Sequence, residues 1–144
     1  MNSPYILLLE ESFSTSSTSP GLLRDNGYDI DLKSVQPQEV LRYLLACVDS
    51  KQLLPSLILL SKNISGDGLS ILKEIKQHRS LRAIPIVMLG NTINEDVEKS
   101  YEEGASSFVQ ASIIDDAGSE SFNSFFKYWL DTVELPLLAH TVIK

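Results

Sequence analysis

Five short apolar runs alternating with five amphipathic stretches predict an α/β domain, a doubly wound five-stranded parallel sheet with helices on both faces. Three observations carry that expectation. The runs at 57–60 and 84–89 are continuously apolar, as strands buried on both faces must be, whereas strands wet on one side alternate. The stretches between the runs repeat their apolar residues at helical spacing. Asn26-Gly27 and Gly104 fall where two of the helices must stop. A chain of 144 residues suits one core, and neither an internal repeat nor a linker is visible. The expected organisation is one domain over 1–134 and an apolar tail over 135–144.

The first strand is Tyr5–Leu9, closed by Glu10 and Glu11. The run 12–19, rich in Ser and Thr, is poor helix interior because hydroxyl side chains compete for backbone hydrogen bonds. Ser19 is placed to cap a short helix with Pro20 at its first position. Residues 28–35 suit a second strand. Pro37 opens a helix with Val40, Leu41, Leu44, Leu45 and Val48 as its stripe. The third strand, 56–60, runs out onto Ser61. A glycine-rich turn at 65–68 leads into a helix carrying Leu69, Leu72 and Ile75. The fourth strand is 84–89, the fourth helix 94–103 and the fifth strand 107–110. The last helix is expected over 121–133, where Phe122, Phe125, Phe126, Trp129, Leu130 and Val133 recur at helical spacing.

Composition removes several function classes. The net charge is −7 and no Lys/Arg cluster exists, so a nucleic-acid footprint is not expected. A single cysteine, Cys47, precludes a disulfide framework and a cysteine zinc site, and its apolar helical setting places it in the core. The early apolar run is too short for a signal segment or a membrane span, so a cytoplasmic protein is expected. In that setting the Asn63-Ile64-Ser65 glycosylation match carries no weight.

In an open α/β sheet, chemistry sits beyond the carboxyl ends of the strands. The residues there are Glu10 and Glu11, Ser61, 90–92 and 110–112. A nucleophilic Ser61 would need a base within hydrogen-bond reach, and the two histidines, His78 and His140, lie near a helix end and in the tail. The SxxK match at 70–73 lacks its partner motifs. No enzymatic activity is expected.

The stretches ILLLEES, PSLILLS, GLSILKEIKQHRSLRAIPIVMLG and YEEGASSFVQAS resemble the receiver domain of bacterial response regulators in two-component signalling, a flavodoxin-like fold. The closing YWLDTVELP is similar to the single-domain regulators that pair with phytochrome-type histidine kinases. The resemblance spans nearly the whole chain. It implies a phosphoacceptor Asp after strand 3, a Mg²⁺-holding acid pair after strand 1, a Thr or Ser after strand 4 and a Lys-Pro after strand 5. Carried over by position, the acid pair is Glu10 and Glu11, and the acceptor position holds Ser61. The hydroxyl position is Gly90, with Thr92 nearby; the lysine position is Ala111 with Ser112 at the proline, and Phe108 is the switch-like aromatic. Ser61 cannot form an acyl phosphate, Ala111 cannot pair with a phosphate, and Gly90 has no hydroxyl to move toward one. Two glutamates in such a site would hold Mg²⁺ weakly at best. The resemblance therefore implies a degenerate receiver that binds a protein without phosphorylation and needs no cofactor.

The implied partner is a histidine kinase, another regulator or a second copy, with a homodimer expected through the last-helix face. Tyr101, Phe125, Tyr128 and Trp129 are the expected contact residues, because the run 125–130 is apolar on more than one face, although the stripe is mostly core. The alternative is a switch worked by Ser/Thr phosphorylation in the run 12–19 or by a small ligand in the vacated pocket. A flavodoxin-type FMN phosphate loop at that run is disfavoured, since it has no glycine before Gly21 and two glutamates stand directly ahead of it.

Overall fold

A computed structural model of the chain describes residues 4–9, 21–61, 68–90, 94–110, 112–115 and 117–136, without the side chains of 94, 95, 114 and 115. The strands are β1 (Tyr5–Leu9), β2 (Asp31–Val35), β3 (Leu57–Ser61), β4 (Ile86–Gly90) and β5 (Ser107–Gln110). They form one parallel sheet in the order β2-β1-β3-β4-β5. The helices are α1 (Leu22–Asp25), α2 (Val40–Asp49), α3 (Gly68–Gln77), α4 (Asn94–Glu102), α5 (Ser112–Asp115) and α6 (Glu120–Lys127). A 3₁₀ turn at Pro37–Glu39 leads into α2, and a π turn at Tyr128–Thr132 follows α6.

The sheet separates two cores, as the alternation of side chains across a strand requires. Tyr5, Leu7 and Leu9 of β1 pack with Val40, Leu44 and Cys47 of α2 and Ile71, Leu72 and Ile75 of α3. Ile6 and Leu8 face the other way, onto Leu23 of α1 and Phe122, Phe125, Phe126 and Trp129. Every residue of β1 and β4 is buried, and so is every residue of β3 up to Ser61. This is the pattern expected of strands covered on both faces, and Cys47 lies in the core as expected.

Several boundaries differ from the sequence expectation, each for a local reason. β2 begins at Asp31 instead of residue 28. The Tyr28 N–H donates to the Leu23 carbonyl at 2.9 Å, and the Tyr28 hydroxyl reaches the Asn123 carbonyl at 3.1 Å, so the residue closes a turn onto α6. β4 begins at Ile86 because the Ile84 N–H is spent on Leu81 and Pro85 has no N–H to give. The described part of α1 starts at Leu22 behind Gly21, and the expected Ser19-Pro20 start lies outside the described residues. α5 is an additional turn of helix between β5 and the last helix. The last helix, expected to run unbroken to residue 133, is α-helical only to Lys127 and then widens.

Gly104 is the stop that the sequence implied. Its φ is +106°, and a Cβ there would stand 3.2 Å from the Lys76 Cγ. Lys76 bridges α3 to the turn before β4, its ammonium donating to the carbonyls of Arg82 (3.1 Å) and Ile84 (2.9 Å). Burial pushes this lysine below its ordinary pKa.

Candidate functional site

The strand order places β1 and β3 side by side at the point where the chain reverses its direction of winding, and the crevice beyond their carboxyl ends is where ligands enter such sheets. Leu9 pairs with Leu60, so Ser61 is the first residue past that pair and sits between β1 and β4. Ser61 is half-buried and pairs with Leu89, while Gly90 is buried and pairs with Gln110. The fold therefore puts Ser61 and Gly90 on neighbouring strands at the crevice. Glu10, Glu11, Ala111 and Thr92 lie outside the described residues.

The chemistry of this described rim is neutral. Ser61 offers a hydroxyl and Gly90 no side chain, whereas a hard divalent cation asks for anionic oxygens. Among the described residues no group of three or more His, Cys, Asp or Glu could hold a metal ion. The described rim thus supplies no anionic oxygen for Mg²⁺, and the two glutamates that could supply one, Glu10 and Glu11, lie outside it.

Phe108 is half-buried on β5 and packs against the α2–α3 core. Of the four expected contact residues, only two face solvent: Tyr101 is 50% exposed and Tyr128 is 53% exposed. Phe125 and Trp129 are corrected to core positions, 7% and 8% exposed. The cause is aromatic packing. Phe125 stacks edge-on to Phe126 at 4.9 Å, and Trp129 lies 6.5 Å from Phe125 and 5.5 Å from the Tyr128 ring. The π turn begins at Tyr128 and carries both Tyr128 and Trp129, the one outward and the other inward.

Three features escaped the sequence reading. The first is a cleft of about 800 Å³ beside β5, lined by Phe108, Val109, Gln110, Ser112, Ile113 and the start of α6. Ser112 and Ile113 of α5 form part of its wall, and no periodic signal announces so short a helix. The second is the cap of α6, where the Ser119 hydroxyl accepts the Phe122 N–H at 3.1 Å. Gly118-Ser119-Glu120 ahead of a phenylalanine stripe was a usable signal for it. The third is a tyrosine pair: the buried Tyr5 donates its hydroxyl proton to the Leu53 carbonyl at 3.0 Å, and its oxygen lies 2.8 Å from the hydroxyl of the half-buried Tyr43. A carbonyl only accepts, so the Tyr5 proton is committed to Leu53 and the Tyr43 hydroxyl donates to Tyr5. Burial first, and then this pairing, push Tyr5 far above the ordinary tyrosine pKa, and burial raises Tyr43 too.

Comparison with known proteins decides the class of the fold. A stretch of 91 residues is 37% identical to the response regulator Rcp1 of Synechocystis sp., covering 57% of this chain and 57% of that protein. The fold is that of a response-regulator receiver. The Mn²⁺-bound form of Rcp1 superposes with a TM-score of 0.65 at 26% identity, covering 93% of this chain and 99% of that one. The phosphorylated cyanobacterial phytochrome response regulator RcpA gives 0.67 at 26% identity, with 92% and 98% covered. A response regulator in red light signaling of R. palustris gives 0.71 at 20% identity, over 93% and 99%, a likeness of fold alone. No family model matches the chain. The receiver-like chain thus resembles single-domain regulators of the phytochrome-associated type. Among its described residues no helix is long and apolar enough to cross a membrane.

Proposed function

We propose that this receiver-like chain is a signalling module that has lost the phosphoryl-accepting chemistry of its relatives and acts by binding a protein partner, without catalysing a reaction. The observation that carries the reading is Ser61 at the end of β3, beside the β1–β3 crevice, with Gly90 next to it. A phosphohistidine donates to a carboxylate, and the serine hydroxyl offers neither that negative charge nor the means to form an acyl phosphate. Rcp1 is known in a Mn²⁺-bound form and RcpA in a phosphorylated form; for this chain Glu10 and Glu11 would bind a divalent cation weakly, and Ala111 would leave a phosphate unpaired.

The partner is a histidine kinase, another regulator or a second copy, met through the exposed Tyr101 and Tyr128, with Phe108 of β5 as a fixed aromatic packed against the core. Exposed tyrosines are common anchors of such surfaces. The test is a titration with Mg²⁺ and then beryllofluoride, followed by backbone amide NMR shifts. Silence at Ser61 and Gly90 is the expected result. A saturable response that spreads to Phe108 would mean that an acceptor pocket survives, and would sink the proposal.

A further inference from the structure

The two edges of the sheet are guarded differently. β2 carries Asp31 and Lys33, and Arg24 ties Asp31 (2.7 Å) and Asp29 beside it, a charged border that discourages another strand from pairing. β5 reads Ser107-Phe108-Val109-Gln110, with no charge, no proline and no glycine. Among the described residues β4 flanks it on one side and no strand flanks it on the other. An edge of that composition offers backbone donors and acceptors to an added strand.

The 800 Å³ cleft lies along this same edge. Among the described residues its apolar lining is Phe108, Val109 and Ile113, its polar lining Gln110, Ser112, Ser119 and Ser121, and its charged lining Glu120. The far wall is held in place: Ser119 caps α6, and the Asn123 amide donates to the Gly118 carbonyl at 3.1 Å. A preformed wall spares a ligand part of the ordering cost. The Glu120 carboxylate beside this apolar lining suits a long basic side chain, whose methylenes cover the apolar residues while its head meets the charge.

We propose that the open edge of β5 and its cleft bind an extended peptide segment of a partner protein, paired to β5 as an added strand, with a Lys or Arg directed at Glu120. The proposal rests on the reading of the chain as an interaction module and names the chemistry of its partner. The test uses the full chain against a random linear-peptide library. Enriched peptides should carry Lys or Arg next to apolar residues and should shift the amides of Phe108, Val109 and Gln110. Glu120→Lys should weaken them about five- to tenfold, and a peptide with the basic residue changed to Glu should recover binding to that variant. Because an added strand uses only alternate backbone N–H groups, N-methylating one alternate set should abolish binding and the other set should leave it. The proposal is overturned if no such peptide enriches, if the shifts fall on Tyr101 and Tyr128 instead, or if binding ignores Glu120→Lys or both methylation patterns. Any of those outcomes with a silent beryllofluoride titration removes this inference alone; a responsive titration removes the reading beneath it.

Discussion

Replacing Tyr5 by Phe should lower stability at neutral pH and have almost no effect near pH 11. At neutral pH the variant loses the bond to the Leu53 carbonyl and the bond from Tyr43, both in buried or half-buried surroundings. A buried carbonyl left unpaired costs about 1–3 kcal/mol, and the ring is retained, so about 1.5 kcal/mol is expected. The sign of the pH dependence follows from the raised pKa of Tyr5. The unfolded chain releases this proton near the ordinary tyrosine value of 10.0, while the folded chain holds it well beyond that. Above pH 10 the unfolded state therefore binds fewer protons, and wild-type stability falls by up to about 1.4 kcal/mol per pH unit on account of this group. One unit above the unfolded value the accumulated loss is about 1.4 kcal/mol, so the wild type and variant curves should meet near pH 11. Lys76, lowered by burial, works in the opposite direction, but it is present in both proteins and cancels in their difference. Urea melts of both proteins from pH 7 to about 11.5 would measure this. Parallel curves over that range would show that Tyr5 ionises freely in the folded state and would refute the argument.

Two further substitutions probe how the last helix is divided and how α4 is stopped. Trp129→Ala should cost about 3–5 kcal/mol, whereas Tyr128→Ala should cost about 1 kcal/mol, the worth of its edge contact with Trp129; thermal melts giving equal losses would contradict the inward and outward assignment. Gly104→Ala should cost about 1–2 kcal/mol, because a φ of +106° strains any side chain and the new methyl crowds Lys76; an unchanged melting temperature would mean that the turn relaxes without penalty.

Periodicity over long windows was legible and local competition for backbone groups was not. The inner strands and their burial could be read from runs such as 5–9, since a strand covered on both faces tolerates five apolar residues in a row. The start of β2 could not, because it depends on Tyr28 reaching Asn123 across the fold. The stripe of α6 was legible, yet which of its surplus aromatics face water was decided by a π turn that no residue spacing foretold. At the candidate site, the identity of Ser61 and its place at the end of a strand were plain in the chain, and its neighbour Gly90 followed from the strand register. The cleft beside β5 was invisible because part of its wall is one short helix and a capped helix start, features without a repeating pattern.

A sheet whose three inner strands have almost no wet residue also supplies an internal gauge of its own stability. Amides in β1, β3 and β4 reach solvent only when both cores part together, so their deuterium exchange should occur through opening of the whole domain. The half-exposed strands at either border can fray by themselves and should exchange sooner. One exchange experiment on the free protein would then separate the free energy of global opening from that of the β5 margin, and a partner seated on that margin would slow the second without having to change the first.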